Sequence, residues 1–433
     1  MKKFIINNYR KYFILAAISI VIIPSLAAES FRSVRAESVG MSTKRLERLT
    51  EQLDHYVDSN QLSGGVALVL RNGKAAYFHS FGYRDLDQKD PMEKDDIFRI
   101  ASQTKSIISV AIMILQEKGQ LLIQDPVGDY IPEFNNTTVA VEEDGNYSVV
   151  KSNRKITIRD LLTHTSGIGW GVGPGKEDWE KAGIVGWYFA DKDETIQETV
   201  KRIAKLPMDA QPGDDFVYGL STDILGALIE VVSKQPLDQF LRQEIFDPLN
   251  MKDTHFYLPL DKLDRLTTVY SSTESGVVIS PDPGKRKSVS MIGQGHYVTG
   301  PRKSFSGGAG LLSTAEDYAS FLQMILNGGT FNKNRILSRK TVELMTVDHI
   351  GGIKFPWESG IGVGLGFWIL KNLGRRGTPG TIGEYGWGGA YHSTYWVDPE
   401  ESLVVVYFTQ LIPALNIDDH DKLRTLIYQS LIN

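Results

Sequence analysis

A serine and a lysine one helical turn apart, Ser102 and Lys105, are the residues of this chain best suited to covalent chemistry. They precede an apolar run at residues 107–115, which is typical of a core helix. Residues i and i+3 share a helix face, so the lysine amine can reach the serine hydroxyl. A buried amine loses its proton readily, and the neutral amine can then accept the serine proton. The pair predicts a serine nucleophile with a lysine base.

The Ser-x-x-Lys spacing by itself is weak evidence, because about two matches are expected by chance in a chain of this length. A second match occurs at Ser152 and Lys155, among polar residues and without a helix start. We interpret that second match as a solvated loop. On spacing and helix context alone, Ser102 fits a helix N-cap as well as it fits a nucleophile.

Two further segments carry groups that can take part in hydrolysis. Tyr218 stands just before a predicted helix that Ser221 can cap, on a loop able to present the phenol to a cleft. A tyrosine packed in the core is the competing interpretation. Residues 386–390 read Gly-Trp-Gly-Gly-Ala before a predicted strand. A backbone N–H there can donate to an oxyanion, an interaction worth about 10²–10³ in rate, although an ordinary turn explains the glycines too.

Composition and charge restrict the possible classes. The chain has 433 residues, 42% of them hydrophobic, and a formal net charge of −5 that offers no electrostatic case for binding nucleic acid. It has no cysteine, which excludes disulfides, thiolate–zinc sites and a cysteine nucleophile. It contains neither a His-Glu-x-x-His zinc motif nor a Gly-x-Ser-x-Gly nucleophile elbow. No metal, cofactor or protein partner is expected.

The N-terminus has the pattern of a secretory signal peptide. Four basic residues precede an apolar run at residues 12–23, and small residues follow it. We therefore expect residues 1–28 to be a signal peptide and the protein to be periplasmic or secreted. An uncleaved membrane anchor is the alternative, although an apolar run of about a dozen residues is short for a bilayer.

The elements that position these groups predict an α+β protein. A helix is expected at residues 43–59, a hairpin around Asn72-Gly73 at 66–81, a second hairpin at 391–409, and a final helix at 418–432. The middle of the chain is mostly helical. The predicted fold is an antiparallel β-sheet built from both chain ends, flanked by helices, plus an inserted mainly helical region. One hydrolase domain is expected at 40–433, with a sheet lobe at about 40–100 and 305–433 and a helical lobe at about 101–304.

Taken together, these segments resemble the serine β-lactamase and penicillin-binding-protein superfamily, and most of all its class C β-lactamase-related branch, which includes the family VIII carboxylesterases. The resemblance follows the family order over nearly everything from about residue 40 onward. The segments that carry it are 100–105 (Ile-Ala-Ser-Gln-Thr-Lys), 156–167, 212–226, 248–254, 306–314 and 386–389 (Gly-Trp-Gly-Gly).

This resemblance implies a role for each candidate residue. Ser102 is expected to be the nucleophile that forms an acyl-enzyme, with Lys105 and Tyr218 as proton-transfer partners, either of which can be the base. The oxyanion hole is expected from the backbone N–H groups of Ser102 and Ala390. The implied fold is β-lactamase/transpeptidase-like, with the cleft between the sheet and the helical region. His392 is expected to be a bystander beside the cleft.

The departures from the family pattern concern the substrate. Leu220 stands where β-lactamases usually have the asparagine of Tyr-x-Asn, and Trp387-Gly388-Gly389 replaces Lys-Thr-Gly. The missing asparagine amide would hydrogen-bond a polar substrate, and the missing lysine and threonine would bind a substrate carboxylate. Their replacement by apolar and aromatic groups predicts a site for a neutral, partly apolar acyl ester. This ester is expected to contact Leu220, Trp387, Gly388 and Gly389.

Two alternatives stay open. One is a D-amino-acid peptidase, DD-carboxypeptidase or weak β-lactamase acting on amides, which would need a cation elsewhere, for example Arg302 or Lys303. The other is a penicillin-binding or sensor-type module that acylates without turnover.

Overall fold

The computed structural model describes residues 31–143, 146–280 and 293–432. The expected signal peptide at residues 1–28 lies outside them. In chain order, the strands are Gly64–Arg71 (β1), Lys74–Asp85 (β2), Asp90–Pro91 (β3), Phe98–Arg99 (β4), Thr138–Glu143 (β5), Asn146–Lys151 (β6), Tyr270–Thr273 (β7), Gly276–Ile279 (β8), Leu312–Ser313 (β9), Thr330–Phe331 (β10), Asn334–Arg335 (β11), Ile361–Val363 (β12), Trp368–Leu370 (β13), Tyr385–Gly389 (β14), Ser393–Asp398 (β15) and Leu403–Thr409 (β16).

The α-helices alternate with these strands and fill most of the middle of the chain. They are Thr43–Asp58 (α1), Thr104–Glu117 (α2), Ile158–Leu162 (α3), Lys176–Lys181 (α4), Ile196–Ile203 (α5), Ser221–Ser233 (α6), Leu237–Leu241 (α7), Ala315–Leu326 (α8), Arg339–Met345 (α9), Leu373–Arg376 (α10) and Asp419–Tyr428 (α11). In the part of the chain that the structure describes, none of the helices combines the length and apolar character needed to cross a membrane.

One eight-stranded sheet organises the molecule, in the order β12-β13-β14-β15-β16-β1-β2-β3. All of its pairings are antiparallel, and β16 from one end of the chain lies beside β1 from the other. Both β1 and β16 are buried along their whole length. Such strands need cover on both faces, which explains their continuous Val and Leu content. The predicted α+β sheet built from both chain ends is confirmed.

Local signals explain why these elements form where they do. Asn72 and Gly73 join β1 to β2 with φ angles of 53° and 69°, the left-handed conformation that a tight hairpin turn requires. Ser42 caps α1 by accepting a hydrogen bond from Arg45. The final helix is shorter than predicted: α11 ends at Tyr428, because residues 431 and 41 form a β-bridge just beyond it.

The glycine-rich segment before the second hairpin corrects a prediction. The sequence analysis placed these glycines before a strand beginning at residue 391, with a turn as the competing interpretation, whereas β14 occupies Tyr385–Gly389 and the next strand begins only at Ser393. Glycine has low strand propensity, but β14 is hydrogen-bonded between β13 and β15, and this pairing overrides the local preference.

The region between the two sheet segments holds the cleft-forming helices. In α2, residues 104–115 are all buried, and this helix packs against α6. A helix that is apolar on every side belongs in a core. The region also contains the hairpins β5–β6 and β7–β8. The division into two lobes stays a prediction.

Candidate active site

Ser102 lies in a tight turn between β4 and α2. The turn, Ala101–Gln103, is one stretch of 3₁₀-helix, and Ala101 has a φ of 42°, which is unusual for a residue with a side chain. Such strained residues persist only where the surrounding structure holds them, and they concentrate at functional sites. Ser102 is half-buried and lines a cavity.

Lys105 follows one turn later and is almost fully buried, with 3% of its surface exposed. Its Nζ lies 3.2 Å from Ser102 Oγ and donates to the carbonyl oxygen of Gly308 at 2.7 Å. Once the lysine ammonium group has lost a proton, the neutral amine keeps two N–H donors and one lone pair, so it can hold Gly308 and accept the serine proton together. The predicted proximity of Ser102 and Lys105 is therefore present.

Asp223 fixes the loop that contains Gly308, the residue to which Lys105 donates. The sequence analysis did not identify Asp223. Its Oδ1 accepts hydrogen bonds from Ser306 Oγ at 2.6 Å and from the Gly308 backbone N–H at 3.0 Å. Burial raises the pKa of Asp223, while the bond from Ser306 and the charge of Lys105 oppose that rise. The available signal was an acidic residue inside the otherwise apolar α6, since a buried acid needs partners.

Tyr218 packs against Lys105. Lys105 Nζ lies 4.7 Å from the centroid of the tyrosine ring, and Trp387 Nε1 donates to the tyrosine hydroxyl at 3.3 Å. The ring of His164 packs 4.7 Å from the same tyrosine. Burial lowers the pKa of His164 well below its usual value, and the charge of Lys105 adds to the effect. His164 is therefore neutral, and its ring packs against Tyr218.

The Gly-Trp-Gly-Gly segment forms β14 and closes on the serine turn. A Cβ added at Gly389 would meet the carbonyl oxygen of Ile100 at 2.5 Å, so only glycine lets this strand approach the turn so closely. The approach brings Gly388, Gly389 and Ala390 into the same cavity lining as Ser102. Ala390 is exposed there, and its service as an oxyanion donor together with the Ser102 N–H stays a prediction.

The cavity has a volume of ≈ 370 Å³ and is mostly aromatic. Its aromatic lining consists of Trp170, Trp187, Tyr218, Phe355, Trp357, Trp368 and Trp387. Among the described residues that line it, Glu358 is the sole carboxylate, and neither a lysine nor an arginine is present. The described lining thus favours apolar groups and offers neither a lysine nor an arginine to a negative one.

Comparison with known proteins places this geometry in a family. The family model described as Beta-lactamase matches residues 49–427. The chain belongs to the beta-lactamase family. Its expected character as a serine hydrolase is confirmed at that level, as is the β-lactamase/transpeptidase-like fold.

Three relatives illustrate the range of this beta-lactamase family. Esterase EstB of Burkholderia gladioli is 30% identical over 375 residues, which is 84% of this chain and 89% of that protein. Protein Rv1367c of Mycobacterium tuberculosis is 32% identical over 381 residues, 83% of this chain and 89% of that one. The structure of EstCE1, described as a hydrolase with promiscuous acyltransferase activity, superposes with a TM-score of 0.75 at 26% identity, covering 91% of this chain and 99% of that chain.

Within this beta-lactamase-family site, the expectation for Leu220 was wrong. Its side chain is fully buried in the main core and does not line the cavity. The reason lies in the start of α6, where the Leu220 carbonyl accepts from the N–H groups of Asp223 and Ile224. The apolar side chain at this helix start packs in the core instead of entering the cleft.

The two cations considered for a carboxylate-bearing substrate also lie outside the lining. Arg302 donates to the carbonyl oxygens of Leu258 and Val298 and borders a different cavity. Lys303 pairs with Asp193 at 2.6 Å. Neither is placed to bind a group held beside Ser102.

A pair of histidines completes the lining, where the sequence analysis expected His392 only as a bystander. His392 and His420 both border the cavity, and their rings stack 4.1 Å apart at 13°. Asp419 Oδ1 lies 2.7 Å from His392 Nε2, and Tyr407 donates to Oδ2 at 2.9 Å. In-plane lone pairs of nearly parallel rings do not converge on one point, and both carboxylate oxygens are engaged. We therefore assign no metal to this group.

Proposed function

We propose that this protein hydrolyses carboxylic esters with neutral, largely apolar acyl groups, through an acyl-serine intermediate on Ser102. One observation carries the proposal: a buried lysine amine contacts the Ser102 hydroxyl at the edge of a cavity lined by aromatic rings. The esterase relative EstB supports the same reaction class.

Acylation follows from the contacts around the serine. Ser102 Oγ attacks the ester carbonyl carbon while its proton passes to the Lys105–Tyr218 pair, and the alkoxide then leaves with a proton from the same pair. The hydrogen bond to the Gly308 carbonyl oxygen keeps Lys105 Nζ beside the serine hydroxyl. The hydrogen bond from Trp387 Nε1 orients the Tyr218 hydroxyl. The carbonyl oxygen is assigned to the N–H groups of Ser102 and Ala390.

The charges of the lining argue against substrates with a free carboxylate, such as penicillins or terminal D-amino acids. Glu358 lines the cavity, with 38% of its side chain exposed, and its Oε1 forms an ion pair with Arg376 Nε at 3.1 Å. Arg376 also pairs with the buried Glu384, so its charge is shared between two acids. A substrate carboxylate would meet aromatic rings and an acid, which costs binding energy.

A matched pair of esters tests this proposal. p-Nitrophenyl butyrate and p-nitrophenyl hemisuccinate have acyl chains of equal length, and the hemisuccinate ends in a carboxylate. We expect kcat/KM to favour the butyrate by at least about tenfold, since each 1.4 kcal/mol of repulsion and desolvation is tenfold. Glu358→Gln should lower the ratio of kcat/KM for the butyrate to kcat/KM for the hemisuccinate. Glu343→Gln, at an exposed ion pair on α9, should leave this ratio unchanged.

The same assay addresses the alternatives. Equal turnover of the hemisuccinate, or strong turnover of a chromogenic cephalosporin, would contradict the proposal and favour a peptidase or β-lactamase. Stable acylation of Ser102 without turnover would instead indicate a sensor-type module. The Ser102→Ala variant supplies the background rate in every arm.

We also propose that residues 1–28 direct export of this enzyme. The support is the basic segment followed by the apolar run at residues 12–23. N-terminal sequencing of protein recovered outside the cytoplasmic membrane should find a start near residue 29. An intact N-terminus in the membrane fraction would favour the anchor.

A further inference from the structure

A second acid–base device borders the cavity that contains Ser102. His392 has 15% of its side chain exposed, and Asp419, which is fully buried, holds its Nε2. Burial raises the pKa of Asp419, but the hydrogen bonds from His392 and Tyr407 keep it below its usual value. The carboxylate is therefore ionised and accepts, while His392 Nε2 carries the proton.

This arrangement leaves the other ring nitrogen for the cavity. With the proton on Nε2, the neutral ring presents a lone pair at Nδ1, and no hydrogen bond to Nδ1 occurs among residues 31–143, 146–280 and 293–432. The stacked His420 does not compete for that role. Its Nε2 lies 3.3 Å from the His392 carbonyl oxygen, and burial lowers its pKa to about 4.

The backbone places His392 close to the predicted oxyanion residue. The His392 N–H donates to the Gly389 carbonyl oxygen at 3.0 Å, which makes a tight turn through Ala390 and Tyr391. His392 itself has a φ of 62°, a left-handed conformation that glycine adopts without strain. A histidine with such a backbone conformation costs stability, and strained backbone conformations of this kind concentrate at functional sites.

We propose that His392, oriented by Asp419, is the general base for the water that hydrolyses the acyl-enzyme. The proposal rests on the ester-hydrolase function above. The water oxygen bonds to the acyl carbon as one water proton moves to His392 Nδ1. The bond between the acyl carbon and Ser102 Oγ then breaks, and Oγ takes a proton from the Lys105–Tyr218 pair. The imidazolium returns its proton to solvent and the Lys105–Tyr218 pair takes one proton from solvent, so the free enzyme is restored.

Two separate bases explain why one cleft contains both groups. In the second step, the Lys105–Tyr218 pair can give a proton to the departing Ser102 oxygen while His392 accepts one from water, so the two transfers do not compete for one group. Lys105 also stays bound to Gly308. His392 immediately precedes β15 and Asp419 lies on α11, so other elements hold this second base. His392 can therefore accept a proton while the Lys105–Tyr218 pair acts as the acid.

The unusual backbone angle makes His392→Gly a clean variant, because glycine at a φ of 62° removes the ring without adding strain. With p-nitrophenyl butyrate, the rapid p-nitrophenol burst reports acylation and the steady state reports deacylation. We expect the burst rate within about twofold of wild type and a steady state about a hundredfold slower, the usual scale for losing a general base. Intact-mass spectra should show acyl-Ser102 accumulating, and added imidazole should restore turnover.

The control is Lys234→Gly, at another residue with a φ of 60°, at the end of α6. It should leave both phases unchanged. Asp419→Asn should slow the steady state in the same direction, if it folds. The proposal is overturned if His392→Gly slows the burst as much as the steady state, leaves both unchanged, or is not rescued by imidazole. A wild-type enzyme that forms no acyl-Ser102 would instead contradict the proposed function, so the two failures differ.

Discussion

The same Ser-x-x-Lys spacing occurs at Ser102–Lys105 and at Ser152–Lys155, but the two pairs differ in burial and in the groups that they contact. Lys105 is buried with its Nζ 3.2 Å from the serine oxygen. Lys155 has 55% of its side chain exposed and its Nζ lies 3.8 Å from Asp129 Oδ1. Ser152 Oγ is engaged with Thr137, both with its hydroxyl at 2.9 Å and with its carbonyl oxygen at 3.1 Å.

The difference shows that spacing supplies only proximity along the chain, while chemistry depends on the surroundings. Water stabilises the charged form of an exposed lysine, and an exposed ion pair is worth at most about 1 kcal/mol. Burial beside a hydroxyl and a carbonyl oxygen instead lets an amine exchange a proton with the serine. The second motif is thus a natural control for the first, and each of the following experiments uses a partner from its neighbourhood.

The largest effect should come from the two serines. Ser102→Ala should lower ester turnover by about a thousandfold or more, since removal of a nucleophile abolishes the covalent route. Ser152→Ala should retain full turnover. Mass spectrometry after treatment with a fluorophosphonate should find the label on Ser102 alone. A label on Ser152 would contradict the assignment.

The lysines should differ next. Lys105→Ala should lower kcat by about 10²–10⁴-fold, the range for losing a positioned proton acceptor. Lys155→Ala should change kcat by less than about twofold, because its charge is solvated. Steady-state kinetics on p-nitrophenyl butyrate measures both, and circular dichroism checks that each variant is folded. A large loss in Lys155→Ala with an intact fold would break the comparison.

Two tyrosines near the two motifs offer a third contrast. Tyr218→Phe should lose at least about a hundredfold in turnover with the fold intact, since the variant keeps the ring and removes the hydroxyl. Tyr147, on β6 beside the second motif, donates to Asp178 at 3.0 Å. Tyr147→Phe should be neutral in the same assay. Near-normal activity in Tyr218→Phe would remove that residue from the mechanism.

The smallest expected effect concerns the acids behind the two lysines. Asp223→Asn keeps an oxygen for Ser306 and the Gly308 N–H but loses the charge that strengthens both bonds. We expect about a tenfold drop in kcat, as the hold on Lys105 loosens. Asp129→Asn, beside Lys155, should change nothing. Equal kinetics for the two variants would show that the Gly308 loop is held without Asp223.

Much of the fold follows from local signals. Asn72-Gly73 specifies a turn, Leu and Tyr residues at helical spacing specify α1, and continuous apolar runs specify β1 and β16. The strand at Tyr385–Gly389 could not be predicted in this way, because glycine has no local preference for a strand and the hydrogen bonds of its neighbours decide.

The candidate site divides along the same line. Ser102 and Lys105 were predictable because both lie within one helical turn, and Tyr218 and Trp387 because their segments resemble a known family. The burial of Leu220 and the contact of Asp223 with the Gly308 loop were not, since no local pattern reports which side chain faces a cavity.

By itself, the sequence determined the fold class, the family motifs and the serine–lysine pair, because these depend on spacing and apolar periodicity within short segments. Only the tertiary structure decided which of two identical spacings is desolvated, that aromatic rings surround Ser102, and that His392 meets Asp419 from 27 residues away. The physical reason is that burial, proton position and electrostatic environment depend on groups distant in the chain, and folding alone brings these together.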